Sequence, residues 1–156
     1  MKETYLELRQ RQQHEFNMLP LKFAYSDEQF KKGMKELGFD PTDTDKVIKI
    51  YDDFTFCRKE DVDKIDDFIE RSSKELEEAF QDYDFVVDAF QWELDDHSYA
   101  FTGNWRAGTE AIADALGMDP KEMLKDSFYQ SALREAMERI VEREEKKEKS
   151  QEISER

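Results

Sequence analysis

Glu93 and His97 stand four residues apart in ELDDHSY, a spacing that sets a carboxylate and an imidazole on one face of a helix. His14, in HEFN, is the chain's other histidine. Together the three offer donors that suit several divalent metals. The plainer reading makes each histidine a helix-end or core-edge residue hydrogen-bonded to a neighbour. The HExxH and paired ExxH signatures are absent. The adjacent carboxylates Asp52/Asp53, Asp66/Asp67, Asp95/Asp96 and Glu144/Glu145 diverge by about 100° on a helix, so they do not converge as a general acid and base must. There is no GxSxG elbow and no glycine-rich phosphate loop. Cys57 is the only cysteine, which excludes an intramolecular disulfide and a cysteine-based metal centre. Strand alternation places it on the face opposite Phe54 and Phe56, where a cysteine acts as a small hydrophobe. These residues lead to a protein with no catalytic residue and no cofactor, with metal binding through His14, Glu93 and His97 as the alternative.

Charge is the stronger signal. Of the net −15, a share of −12 falls between Glu60 and Asp96, where fifteen acidic side chains face only Lys64, Arg71 and Lys74. Those three each follow an acidic residue by four positions, the favourable order for ion pairs within a helix. The remaining carboxylates have no local match. The candidate partner-binding set is Asp63, Asp66, Asp67, Glu70, Glu75, Glu77, Glu78, Asp82, Asp84, Asp88, Asp95 and Asp96. Such a surface repels nucleic acid and anionic membrane and attracts basic proteins, including those that hold nucleic acid. Carboxylates at i, i+4 spacing supply one charge per ~6 Å of helix against one per ~1.7 Å of duplex DNA, so imitation of a nucleic acid needs several elements side by side. The competing reading is a solvated face that provides solubility. Eight aromatic residues lie between Phe80 and Trp105. Large rings supply core to a chain poor in aliphatics, while an exposed Trp92 or Trp105 would anchor a partner.

The elements that carry these residues follow from periodicity and punctuation. A polar helix over 1–17 stops at Pro20, and LKFAY is an extended link. Ser26 with Gln29 starts a second helix, which Gly38 ends. KVIKIY and FTFCRK alternate about Asp52-Asp53 as a β-hairpin. An amphipathic helix spans 61–81, with Val62, Ile65, Ile69, Leu76 and Phe80 inward. Further helices are expected over 84–98 and 105–116, and from Asp119-Pro120 onward. Beyond Val141 the sequence is almost wholly charged, an exposed helical extension or a frayed tail. The expected fold is mostly α (α+β): one helical domain of five to six helices over 1–141 with a small antiparallel hairpin near 46–59, then the extension 142–156. The N-terminus MKETYLELRQ lacks the apolar core of a signal peptide, and no run is long enough to span a bilayer. A cytoplasmic protein is expected.

The segments HEFNMLPLKFAYSDEQFKKGMKELG, FCRKED, DAFQWELDDHSYAFTG and DALGM resemble an uncharacterised family of small proteins on phages and integrative elements of Gram-positive gut bacteria. The matching positions are Glu15, Phe16, Asn17, Pro20, Phe23, Ala24, Gln29 and Phe30, then Glu93, Leu94, His97 and Tyr99. The likeness runs from about His14 to Leu116, departs at Asp95-Asp96-His97-Ser98, and carries an insertion around 104–108. It implies a mobile-element context and no chemistry. With the acidic segment, it leads to an expected inhibitor of a basic, nucleic-acid-binding defence protein such as a CRISPR nuclease. A structural or assembly module docking through exposed aromatics, or pairing as a homodimer through the C-terminal helix, is the third reading.

Overall fold

The computed structural model describes residues 2–155. The chain is mostly helical, with eight α-helices and a small three-stranded antiparallel sheet among the described residues. Contacts divide it into two compact units. One, the middle unit, is Gln12–Ser72; the other, the terminal unit, takes in the residues up to Arg11 and those from Ser73 onward. Helices α1 (Tyr5–Asn17) and α3 (Val62–Ala79) each contribute to both.

In the middle unit the sheet sits at the centre. Strand β3 (Thr55–Arg58) lies between β1 (Lys22–Phe23) and β2 (Val47–Lys49). The hairpin register pairs Val47 with Arg58, Ile48 with Cys57 and Lys49 with Phe56. Where the sequence predicts only an extended link, Lys22 and Phe23 pair with Phe56 and Thr55 and add a third strand. The hairpin loop closes by an Ile50 N–H to Thr55 carbonyl bond, with Asp52 Oδ1 accepting from the Phe54 N–H at 2.8 Å. The left-handed residue the loop requires is Tyr51, at φ +68°. Both faces of β3 are covered. Phe56 packs with Met34 of α2 (Asp27–Glu36) and with Leu37, which caps that helix, and Cys57 packs with Leu21 and with Ile65 of α3. A Cβ on Gly33 would lie 2.8 Å from Phe56 Cζ, so only glycine lets the ring come this close. Helix α2 begins as its sequence signals: Ser26 Oγ accepts from the Gln29 N–H, and the Gln29 side chain accepts from the Tyr25 N–H.

The terminal unit is built around α4 (Tyr83–Asp96), capped by Asp82, whose carboxylate accepts from the Asp84 N–H at 3.0 Å. Val86, Val87, Ala89, Phe90 and Leu94 are buried on it. They pack in one core with Ile112 and Ala113 of α6 (Arg106–Leu116) and with Ala132, Leu133, Ala136 and Ile140 of α8 (Ser127–Glu155). Tyr5, Leu8, Leu76 and Phe80 belong to the same core. At Gly108 an added Cβ would meet the Leu94 backbone at 3.0–3.1 Å, which marks how closely α6 approaches α4.

The sequence merges segments that the structure separates. Ser98, at φ +62°, breaks the helix after α4, and a one-turn helix α5 (Tyr99–Thr102) follows. Asp119 caps α7 (Pro120–Met123) through bonds from the Lys121 and Glu122 N–H groups. Asp126 then accepts from the Phe128 N–H at the start of α8, so the single helix expected from Asp119 is two. Helix α8 runs without interruption through the charged segment to Glu155, a length of about 43 Å. No helix among the described residues is long and apolar enough to cross a membrane.

Candidate functional site

The acidic residues fall into two electrostatic settings. In the middle unit, α3 exposes Asp63, Asp66, Asp67 and Glu70 at i, i+3, i+4 and i+7, one face of the helix, while Ile65 and Phe68 on the other side are buried. Asp63, Asp66 and Asp67 make no ion pair among the described residues. Arg58, Lys64 and Arg71 are bound to other carboxylates. Arg71 binds Glu15 at 3.0 Å. Arg58 donates to Asp61 at 2.6 Å, with Lys64 3.8 Å from the same buried carboxylate. Tyr51 lies close enough to Asp66 that burial and then the Asp66 charge push its hydroxyl above the usual tyrosine range. The Cys57 thiol is pushed up by burial first, then by Asp61 and Asp66, so it is neither exposed nor activated as a nucleophile.

In the terminal unit four of the eight candidate carboxylates, Glu75, Asp82, Asp88 and Asp95, are matched by cations from distant sequence. Arg143 grips Asp95 through two bonds of 2.8 Å, and Arg139 donates to Asp88 at 3.0 Å. Both arginines stand on α8, four residues apart, opposite carboxylates seven apart on α4. Lys2 binds Asp82 at 2.8 Å, which holds that carboxyl below its usual range. Arg11 bridges Glu3 and Glu75. Glu77, Glu78, Asp84 and Asp96 are exposed and make no ion pair among the described residues.

Of the aromatics, Phe80 and Phe90 are buried, and Tyr83, Phe85, Trp92, Tyr99 and Trp105 pack half-buried against the core. Trp92 lies 6.1 Å from the Tyr5 ring, and the Arg106 guanidinium sits 6.0 Å from the Trp105 ring. Phe101, on α5, is 92% exposed. Composition singles out the tryptophans as partner anchors, yet the most exposed ring of the cluster is a phenylalanine, because the Ser98 break turns α5 outward from the α4 pattern.

The polar candidates converge at the end of α4. Glu93 is buried, and its Oε1 accepts from the Tyr5 hydroxyl at 2.8 Å. Burial, then the Glu93 carboxylate, push that hydroxyl far above the tyrosine range, so it stays a donor. His97 Nδ1 donates to the Glu93 carbonyl at 2.8 Å. One donor atom each from Glu93, Asp96 and His97 lies within 4.8 Å of the other two. His14 is exposed in the middle unit and belongs to no such group among the described residues. Sequence spacing finds Glu93 and His97; it misses Tyr5 because that contact spans 88 residues.

No curated protein and no solved structure is detectably similar to this chain. A family model described as "Family of unknown function (DUF7659)" matches residues 4–139, a span that takes in the middle unit, part of the terminal unit and all of α4, and the chain therefore belongs to that family.

Proposed function

We propose that the chain is a non-enzymatic binding protein whose acidic face on α3 docks a basic, nucleic-acid-handling protein and competes for its nucleic-acid site. The observation that carries this reading is the exposed run Asp63, Asp66 and Asp67, beside which Arg58, Lys64 and Arg71 are committed to other carboxylates. Asp63, Asp66 and Asp67 lie within about 6 Å of helix axis, one charge per about 3 Å, near the ~3.4 Å rise per phosphate along one DNA strand. Tyr51 beside Asp66 adds an exposed aromatic at the edge of the stripe. The resemblance over residues 14–116 supports a cytoplasmic, mobile-element setting, in which the partner is a defence protein such as a CRISPR nuclease.

The test is capture of basic nucleic-acid-binding proteins from a host lysate at low and at high salt, followed by binding of the captured partner to purified chain. Affinity falls steeply with salt and drops at least tenfold in D63N/D66N/D67N, and nucleic acid displaces the chain. Binding that ignores salt and the triple substitution overturns the reading.

A further inference from the structure

We propose that the cavity lined by the start of α2 and by the β-hairpin seats an arginine side chain of the same basic partner that docks on α3, so the inference rests on that docking. The cavity has a volume of about 430 Å³, within the ~300–1,000 Å³ usual for binding pockets. Its walls carry the rings of Tyr25, Phe30, Phe54 and Phe56 and the carboxylates of Asp27 and Asp53.

Backbone pairing builds the mouth of this cavity. The bonding of β1 to β3 continues past Phe23, where the Ala24 N–H donates to the Phe54 carbonyl at 2.8 Å. Tyr25 therefore lies beside Phe54, with ring centroids 4.9 Å apart and planes inclined by 33°. Phe30 and Phe56 form a second ring pair at 5.0 Å on the same wall. Tyr25 is 72% exposed and Phe54 46%, and Ile48, also exposed, lines the same cavity. Large apolar groups gathered in the open at one cavity mark a contact surface.

Charge selects the occupant. Ring faces carry partial negative charge and attract cations. Asp27 makes no ion pair among the described residues. Lys49, also on the wall, stands 3.9 Å from Asp53, but both side chains are mostly exposed and the pair contributes little. A guanidinium answers both features, since its flat face stacks on a ring while its N–H fork donates to a carboxylate. The compact ammonium of lysine does not stack in this way. The hairpin loop joins the cavity to the acidic stripe. Tyr51, beside Asp66, is three residues from Phe54, a reach of at most about 11 Å. A partner resting on α3 thus has a neighbouring side chain within range of the cavity.

The experiment titrates the full chain at low salt with the blocked tripeptide acetyl-Gly-Arg-Gly-amide and with its lysine and citrulline counterparts, followed by NMR shifts of the backbone amides. Citrulline keeps the shape of arginine without its charge. The arginine peptide gives saturable shifts confined to the surroundings of Tyr25, Asp27 and Phe54. The citrulline peptide binds about tenfold more weakly, and the lysine peptide several-fold more weakly. Tyr25→Ala and D27N each weaken the arginine peptide, while Tyr25→Phe, which keeps the ring, binds it as the parent does. Tyr25 and Asp27 are exposed, so these variants keep the fold, and circular dichroism verifies this. D63N/D66N/D67N also binds the peptide as the parent does, which separates a failure of this cavity from a failure of the stripe. Shifts scattered over carboxylates around the molecule, equal binding of the citrulline or lysine peptide, or parental binding in folded Tyr25→Ala and D27N overturns the proposal.

Discussion

Helices α3 and α4 are both rich in carboxylates, yet they present different surfaces. On α4, Asp88 and Asp95 are held by Arg139 and Arg143 of α8, and its cap Asp82 is held by Lys2. On the part of α3 in the middle unit, Asp63, Asp66 and Asp67 have no such partners among the described residues. The contrast teaches that acidic composition does not define an acidic surface. What decides is whether packing brings cations alongside, and α4 packs against a long helix carrying arginines on the facing side, whereas α3 offers its stripe to solvent.

The comparison is broken most sharply at the core that holds α4 in register with α8. Phe90→Ala removes a fully buried ring and costs about 3–5 kcal/mol of stability, measured by urea unfolding. A cost under 1 kcal/mol would mean that α4 is not seated as described. Next in size, Tyr5→Phe removes the donor to a buried carboxylate and costs about 1–3 kcal/mol by the same measurement. A smaller effect follows from Arg143→Ala. Its pair with Asp95 is about one-third exposed, so the loss is about 0.5–1 kcal/mol and shrinks in high salt. On the other side of the comparison, D63N/D66N/D67N leaves the melting temperature unchanged or slightly raised, because it relieves repulsion and removes no contact.

The acid limb supplies the finest distinction. In the middle unit, the Phe54 N–H and then the Thr55 hydroxyl hold the Asp52 carboxyl below its usual range. A lowered folded pKa means stability that is present above the unfolded value of about 4 and is lost as pH falls through that region. Asp52→Asn therefore flattens the pH dependence of unfolding below about pH 4.5, whereas D63N/D66N/D67N does not remove it; thermal melts across pH 3–6 separate the two.

Local chemistry was readable in the sequence wherever a few adjacent residues decide the outcome. Ser26 with Gln29, and Asp119 before Pro120, start helices because the capping atoms are three residues or fewer from the groups they satisfy. The alternation around Cys57 gave its strand and its opposition to Phe56. Strand β1 was not readable, since two residues carry no periodicity and its partner lies more than thirty positions on. The arginine grip on α4 was hidden for the same reason: its pairs span 48 and 51 residues and exist only once α8 lies along α4. Glu93 and His97 were visible as a helical pair, but the third member near them, Asp96, looked like one half of an uninformative Asp-Asp doublet.

The lone thiol, sealed at the centre of the small sheet, doubles as a clock. An alkylating reagent reaches Cys57 only when the layer of Leu21 and Ile65 parts from β3, so the labelling rate under native conditions counts openings of the middle unit. One residue thus lets local breathing be timed without adding any label site to the chain.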